Sequence, residues 1–325
     1  MRRVPWERGS FKSMEHIRDW RPPHPLRNPV VTLGNFDGVH LGHQRIFRLL
    51  TERARQLNGT SVVYTFEPHP IKVLYPERRM PLITSYQERA ALVEELGVDV
   101  LVSAPFDRDF ASQSASQFVE EILVRAIGAR ELLVGYDYAF GRDREGDIQL
   151  LRSMGRRLGF QVEIVPPVML NGSAVSSSRI RSVVEEQGDV ALAARMMGRE
   201  FSVEGVVVEG HRRGKSLGFP TANLRLESEL LPKPGVYAVW VRMPGQGPLL
   251  GGMANLGTNP TFSESVLSFE VHILDFQGDL YGKKLRVALV QRLRDERRFP
   301  NVDELAAQLR RDEESTRAIL RQRPA

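Results

Sequence analysis

The periodicity of the chain changes once along its length, and this change restricts the architecture more than any other feature. From Val30 to about Glu186, short β-branched runs alternate with stretches whose apolar residues recur at helical spacing. From Gly188 onward, short apolar runs follow one another with Gly and Pro between them. Alternating strands and helices are typical of a parallel sheet. Successive strands without helices between them are typical of an antiparallel barrel. We therefore expect two domains, 1–187 and 188–325.

The first half is predicted to be a doubly wound, Rossmann-like α/β domain. Its predicted strands are Val30–Leu33, Thr60–Phe66, Val98–Ser103, Glu131–Gly135 and Phe160–Val165. Leu41–Leu57 has helical apolar spacing, and Ser85 and Ser114 each precede a Glu or Gln by three residues, which is the capping-box signature of a helix start.

The second half is predicted to be an antiparallel β-barrel with a C-terminal helix. Its predicted strands are Phe201–Glu209, Gly235–Met243, Leu267–Phe276 and Leu285–Leu293. The final amphipathic stretch predicts a helix over residues 302–321, and Asp189–Met197 predicts a short helix at the hinge between the domains.

Composition and charge exclude several classes of protein. The chain of 325 residues is 42% hydrophobic and 26% charged, as in a globular protein, and it has no cysteine. The lack of cysteine excludes disulfides and a cysteine nucleophile and fits a reducing cytoplasm. No apolar run approaches the ~18–20 residues that cross a bilayer, and the start lacks the apolar core of a secretory signal. We therefore expect no membrane partner.

The positive charge is concentrated at the start of the chain. Residues 1–29 contain seven Arg or Lys against three Asp or Glu, and the net charge of the whole chain is +5. The remainder is nearly balanced and has no basic stripe of the kind that nucleic-acid binding uses. A solvated basic lead over 1–29 is therefore favoured over a nucleic-acid-binding arm.

The segment LGNFDGVHLGH, from Leu33 to His43, follows the first predicted strand and begins the first helix. Glycines allow a close backbone approach to a ligand, and a helix N-terminus favours a phosphate. His40 and His43 share one helix face and could both donate to an oxyanion. The alternative is that the two histidines lie on the surface or bind a metal. Their position at the carboxyl edge of the predicted sheet favours a catalytic role. A metal site is disfavoured because no third ligand lies at ligand spacing nearby.

His40-Leu41-Gly42-His43 resembles the HxGH signature of the nucleotidyltransferase superfamily. Three further segments resemble its flavin-adenylylating branch, namely TFEPHP at 65–70, VGYDYAFG at 134–141 and VSSSRIR at 175–181. The last motif usually reads SSTxIR, so Ser178 stands where a threonine is usual and retains the hydroxyl.

This resemblance implies that His40, His43 and Arg181 stabilise adenylyl transfer. It also implies ATP contacts by Gly34, Asn35, Phe36, Asp37, Gly42, Asp137, Ser177 and Ser178, and flavin contacts by Phe66 and His69. Without it, Ser177 and Ser178 form a helix N-cap and Arg181 is a surface charge. Asp37 and Asp137 bind ribose or base, or cap turns, and the sequence leaves both interpretations open.

The segment GHRRGKSLGFPTAN, residues 210–223, ends like a P-loop, but its first two glycines are one residue too close and no helix follows. It resembles riboflavin kinase, in which a Gly-rich loop and a PTAN motif bind ATP and magnesium. The resemblance implies ATP contacts by Gly210, Gly214, Lys215, Gly218, Pro220, Thr221 and Asn223. It makes Thr221 and Asn223 the magnesium ligands, which suits a hard cation. A side-chain turn after Pro220 is the alternative.

Strand alternation in LSFEVHILDF, residues 267–276, places Phe269 and Val271 on one face and Glu270 and His272 on the other. The riboflavin kinase resemblance implies that Glu270 is the catalytic base. An exposed strand glutamate is the alternative. The segments at 255–262, 278–282 and 293–299 also resemble the kinase, and the last of them assigns Arg294 to the flavin site.

Together the motifs resemble the prokaryotic bifunctional riboflavin kinase/FAD synthetase family, in the order of its two domains. The resemblance implies that riboflavin is phosphorylated by ATP to FMN, and that a second ATP adenylylates FMN to FAD, with Mg²⁺ as cofactor. We expect a cytoplasmic monomer or transient homo-oligomer with no nucleic-acid partner. One alternative is an HxGH nucleotidyltransferase with another phosphorylated acceptor. The other is a non-enzymatic flavin sensor that binds nucleic acid.

Overall fold

The chain folds into two compact units, Met1–Ser176 and Ser177–Ala325. The computed structural model describes residues 13–209, 218–243, 248–260 and 265–323. The functional boundary expected between residues 187 and 188 stays a prediction. Each unit has its own sheet and its own apolar core.

A six-stranded parallel sheet forms the centre of the first unit. Its strands are β1 (Glu15–Ile17), β2 (Val30–Leu33), β3 (Ser61–Glu67), β4 (Val100–Pro105), β5 (Glu131–Gly135) and β6 (Gln161–Val165), in the order β1-β4-β3-β2-β5-β6. The chain leaves β2 on one side to form β3 and β4, and it returns to the other side of β2 to form β5. The strand order therefore reverses between β2 and β5, where α/β sheets bind ligands beyond their carboxyl ends.

Helices connect these strands and cover both faces of the sheet. They are α1 (Leu41–Gln56), α2 (Pro70–Leu74), α3 (Tyr86–Glu95), α4 (Arg108–Ala111), α5 (Ala115–Gln117), a π-helical continuation over Phe118–Ala126, a 3₁₀ turn over Arg142–Arg144 and α6 (Ile148–Leu158). Successive β2 residues enter opposite cores, Val31 with Leu132 on one face and Val30 with Leu133 on the other. This burial on both faces confirms the doubly wound α/β prediction.

The strand β1 lies within the lead segment that was expected to be solvated. Glu15–Ile17 pairs in parallel with β4, and Ile17 is buried in the core. The His16 ring nitrogen Nε2 lies 2.9 Å from the Ser103 hydroxyl. The expectation is therefore wrong for this strand, because three residues with one buried apolar side chain carry no readable periodicity. A two-stranded hairpin of β7 (Met169–Leu170) and β8 (Ser173–Ala174) follows β6.

A closed six-stranded antiparallel barrel forms the centre of the second unit. Its strands are β9 (Phe201–Val208), β10 (Ala222–Leu226), β11 (Gly235–Arg242), β12 (Leu250–Pro260), β13 (Ser265–Ile273) and β14 (Lys284–Arg294), in the order β10-β13-β12-β11-β14-β9. The barrel prediction is confirmed, but β10 and β12 were missed. The first, Ala-Asn-Leu-Arg-Leu, has no β-branched or aromatic residue, and the second contains Gly251, Gly252 and Gly257, which weaken a strand pattern.

Helices precede and follow the barrel. They are α7 (Ser177–Ser182), a π-helical turn over Val183–Gln187, α8 (Val190–Met197) and the C-terminal α9 (Val302–Gln322). Leu320 of α9 packs with Leu274 and Val290 in a small core on the barrel. None of the helices in the described ranges combines the length and the apolarity that crossing a membrane requires.

Candidate active sites

The loop from β2 to α1 brings the two predicted histidines together. His40 caps α1, and its Nδ1 accepts a hydrogen bond from the His43 backbone N–H at 3.4 Å. The two imidazole rings stack with their centroids 3.6 Å apart. A Cβ at Gly42 would lie 3.0 Å from Cε1 of His40, so this glycine leaves room for the folded-back ring. The histidines and the helix N-terminus can therefore face one ligand phosphate.

Asp37 is held by the segment that precedes α3. Its carboxylate is buried, and it accepts hydrogen bonds from the backbone N–H groups of Ile83 at 3.0 Å and Thr84 at 3.2 Å. The backbone N–H of the next residue, Gly38, donates to the Thr84 hydroxyl, which adds a further bond between these two segments. These bonds favour the turn-capping interpretation of Asp37. Asp137 lies just past β5, exposed, at the other side of the strand-order reversal.

The two residues predicted to contact flavin in this unit lie at and just beyond the carboxyl end of β3. Phe66 contacts the rings of Phe106 and Phe110 edge to face, with centroids 5.2 and 5.6 Å away. His69 is buried and caps α2, because its Nδ1 accepts from the Ile71 N–H at 3.2 Å. Flavin binding by both residues stays a prediction, and His69 also has a structural role.

The predicted phosphate-binding serines begin a helix, as expected. Ser177 is the first residue of α7, and Arg181 follows one turn later on the same helix. Ser178 is exposed, whereas Ser177 and Arg181 are half-buried. This short helix opens the second compact unit.

Three barrel strands bring the predicted kinase residues to one face. In the pairing of β10 with β13, Asn223 lies directly opposite Glu270, and in the pairing of β12 with β13, Asn255 lies opposite the same glutamate. Directly opposed side chains lie on one face, about 5 Å apart at Cβ. The Glu270 Oε2 is 3.4 Å from the Thr221 hydroxyl, and its Oε1 is 3.3 Å from the Ser268 hydroxyl. A half-buried carboxylate is thus surrounded by oxygen-bearing side chains.

The chain entering β10 is tied to the neighbouring strand. His272 Nδ1 donates to the Pro220 carbonyl oxygen at 2.8 Å, and its ring meets the buried Phe219 edge to face. Gly218 adopts a left-handed backbone with φ of 82°. The other predicted residues of this loop, Gly210, Gly214 and Lys215, lie outside the described residues.

Arg294 is occupied by an ion pair with the C-terminal helix. Its Nε and Nη2 donate to the carboxylate of the buried Asp312 at 3.0 and 2.8 Å. Gln308 donates to the same carboxylate at 2.7 Å. The predicted flavin contact of Arg294 stays a prediction, and the structure adds a second role, which is to anchor α9 to the barrel.

Sequence reasoning missed residues that depend on long-range pairing. Asn255 and Ser268 were not predicted as site residues, although both lie beside Glu270. Strand register would have identified Asn255, but β12 was not recognised. Two buried charged residues of helices were also missed, namely Arg89 of α3 and Asp312 of α9, because a buried charge inside a helix has no local sequence signal.

Comparisons with known proteins place a domain family on each half of the chain. Residues 23–179 match the FAD synthetase family, and residues 197–320 match the riboflavin kinase family. A structural neighbour over nearly the whole chain is a crystal structure described as a macrolide-efflux protein from Streptococcus pneumoniae. It is 35% identical with a TM-score of 0.84, covering 94% of this chain and 98% of that one.

Two curated relatives extend over nearly the whole chain. The bifunctional riboflavin kinase/FMN adenylyltransferase of Escherichia coli K12 is 39% identical over 293 residues, covering 90% of this chain and 93% of that protein. The protein of the same name from Pseudomonas fluorescens is 40% identical over 304 residues, covering 93% and 96%. With both halves matched in the same order, this chain belongs to the bifunctional riboflavin kinase/FMN adenylyltransferase family.

Proposed function

We propose that this chain makes FAD from riboflavin in two ATP-dependent steps. Riboflavin is phosphorylated to FMN with release of ADP, and FMN is adenylylated to FAD with release of pyrophosphate. The observation that carries the proposal is the arrangement of Thr221, Asn223 and Glu270 on one barrel face, in a chain whose other half holds paired histidines at a sheet edge. Each of these two groupings suits one phosphoryl-type displacement.

In the kinase step, Glu270 is proposed to act as the general base. Its carboxylate accepts the proton of the terminal ribityl hydroxyl as that oxygen attacks the γ-phosphorus of ATP. The backbone of β13 fixes the carboxylate from a rigid strand, and the hydroxyls of Thr221 and Ser268 flank its two oxygens. This support keeps the carboxylate aimed at one point, which is what proton transfer requires.

A magnesium ion is proposed to accompany ATP in the kinase step. The donor set fits this ion, because the Thr221 hydroxyl and the Asn223 amide offer hard oxygens next to the Glu270 carboxylate. Magnesium keeps several waters and takes phosphate oxygens, so two protein ligands suffice. When bound, the ion neutralises charge on the triphosphate.

In the adenylylation step, an FMN phosphate oxygen attacks the α-phosphorus of ATP and pyrophosphate leaves. His40 and His43 are proposed to donate to oxygens that gain charge, with the N-terminus of α1 adding its backbone N–H groups. Arg181 stays a predicted contributor to adenylyl transfer, with a guanidinium fork of the kind that binds phosphate oxygens. Positioning and charge stabilisation suffice for this displacement, and no covalent nucleophile is needed.

The test is product analysis with the purified full-length protein. Incubated with riboflavin, ATP and Mg²⁺, it should yield FMN and then FAD by chromatography. Incubated with FMN and ATP, it should yield FAD and pyrophosphate. Failure to form either flavin nucleotide would overturn the proposal, and adenylylation of another acceptor in preference to FMN would replace its second half.

We propose that both steps take place in the cytoplasm, where ATP is abundant.

A further inference from the structure

We propose that Arg89 is a positioning residue for adenylyl transfer, which holds the loop after β2 against the carboxyl end of β3 in the reactive arrangement. The inference rests on the proposed adenylyltransferase function. Arg89 lies in the first turns of α3, and the residues that it holds are Asn35 and Phe66, both predicted to contact substrates.

The contacts of the Arg89 guanidinium join the loop after β2 to the carboxyl end of strand β3. Arg89 is only 2% exposed. Its Nη1 donates to the carbonyl oxygen of Asn35 at 2.9 Å, and its Nη2 donates to the carbonyl oxygen of Phe66 at 3.3 Å. The rigid planar fork of a guanidinium can bridge two fixed acceptors in this way, whereas an ammonium group is a compact point charge. The distance between the two carbonyl groups is thus fixed through one side chain.

The β2–α1 loop needs such support because its backbone is strained. Phe36 has φ of 49° and Val39 has φ of 38°, in the left-handed region that non-glycine residues avoid. Such a backbone conformation is unfavourable for these residues and persists only when their surroundings hold it. The Asn35 carbonyl receives the Arg89 bond immediately before Phe36, and the Thr65 hydroxyl lies 3.3 Å from the same oxygen. His40 directly follows the strained Val39.

A second residue of the first turn of α3, Tyr86, holds the connection from β3 to α2. The Tyr86 hydroxyl oxygen accepts a hydrogen bond from the His69 backbone N–H at 2.9 Å. The Arg89 guanidinium lies over the Tyr86 ring, 4.9 Å from its centroid. The carboxyl end of β3 and the connection that follows it are therefore each held by one residue of α3, and the β2–α1 loop is held by Arg89 from the same helix.

The charge of Arg89 is buried, which is unfavourable unless the charge has a purpose. Burial lowers the pKa of Arg89 from its usual value, and the carboxylates of Asp37 and Glu67 oppose this effect in part. Burial of a charge is costly unless it is compensated by hydrogen bonds. The hydrogen-bond partners of the Arg89 guanidinium are carbonyl oxygens of the β2–α1 loop and of the carboxyl end of β3, so its charge is used to fix backbone positions there.

The experiment compares Arg89→Met and Arg89→Lys with the wild type, and Arg53→Met serves as the matched control. Arg53 pairs at 2.8 Å with the buried Glu131 at the amino end of β5, the edge opposite the site loops. Loss of the Arg53 side chain therefore destabilises the same sheet but leaves the contacts of the β2–α1 loop and of the carboxyl end of β3 in place. For each full-length variant, kcat and KM are measured for FMN adenylylation, with riboflavin phosphorylation in the same sample as an internal reference, and Tm by circular dichroism.

Arg89→Met should lower kcat for adenylylation about 10- to 100-fold, because a misplacement of ~1 Å costs up to 10² in rate. Its riboflavin phosphorylation should stay within about twofold of the wild type. Arg89→Lys should recover part of the kcat, since an ammonium group can still donate to one carbonyl. Arg53→Met should lower Tm but leave adenylylation kcat within about twofold.

Adenylylation by folded Arg89→Met within about threefold of the wild type would overturn the inference, as would an equal loss of kcat in Arg53→Met. If Arg89→Met does not fold, Arg89→Lys decides: full adenylylation kcat in the folded lysine variant overturns the inference, and a partial kcat supports it. The proposed function itself fails separately, when the wild type forms no FAD from FMN and ATP.

Discussion

Replacement of Glu270 by Gln is the perturbation that most directly tests the two-site mechanism. Gln has almost the size of Glu, and its carbonyl oxygen can still accept from the Thr221 or Ser268 hydroxyl, which lie 3.4 and 3.3 Å from the carboxylate. The barrel should therefore fold unchanged. What is lost is the basic oxygen that takes the ribityl proton. Loss of a general base lowers the rate by about 10² to 10⁴, or about 3–5 kcal/mol of barrier.

The assay measures FMN formed from riboflavin and FAD formed from supplied FMN, both by chromatography of the same preparation. The Glu270→Gln variant should lose the first activity by that factor and retain the second. Glu204→Gln is the control, because it removes a barrel carboxylate whose partner is Lys284, 2.8 Å away, on the strands β9 and β14. Loss of both activities together in Glu270→Gln, or FMN formation within about threefold of the wild type, refutes the reasoning.

The remaining predictions concern the second site, the barrel and the metal. His43→Ala should let FMN accumulate from riboflavin while FAD formation falls about 10²-fold, and unchanged FAD output would remove this histidine from the mechanism. Asp312→Ala leaves the guanidinium of Arg294 without its buried carboxylate and should lower the free energy of unfolding by about 3–5 kcal/mol in urea titrations; a loss below ~1 kcal/mol would refute the anchoring role. Arg317 lowers the pKa of Asp275 below its ordinary value of 3.8, so this pair stabilises the barrel above that pH and its contribution is lost as the pH falls through the lowered pKa. Asp275→Asn should therefore flatten the acid dependence of the urea midpoint, and an unchanged slope would contradict it. Excess EDTA should stop FMN formation and added Mg²⁺ should restore it, whereas full activity in EDTA would exclude the proposed magnesium ion.

Local periodicity was sufficient to predict most of the architecture. The β-branched runs from Val30 to Val165 and the apolar spacing of Leu41–Leu57 predicted five of the six strands of the sheet, and α1, to within a residue or two. Alternation in β13 predicted that Phe269 and Val271 share one face and Glu270 the other, and in the structure the first two are buried while Glu270 is half-buried. These features depend on neighbours within one or two turns, so the order of residues along the chain contains them.

The site required contacts between residues that are far apart in sequence. Asn223 and Asn255 meet Glu270 only because three strands pair in one register. Two of those strands have no strand signal of their own, since β10 has no β-branched residue and β12 is rich in glycine. The bridge from Arg89 to Asn35 spans 54 positions in the chain. Burial of a charge is set by what packs around it after folding, and no periodicity within a single segment encodes that packing.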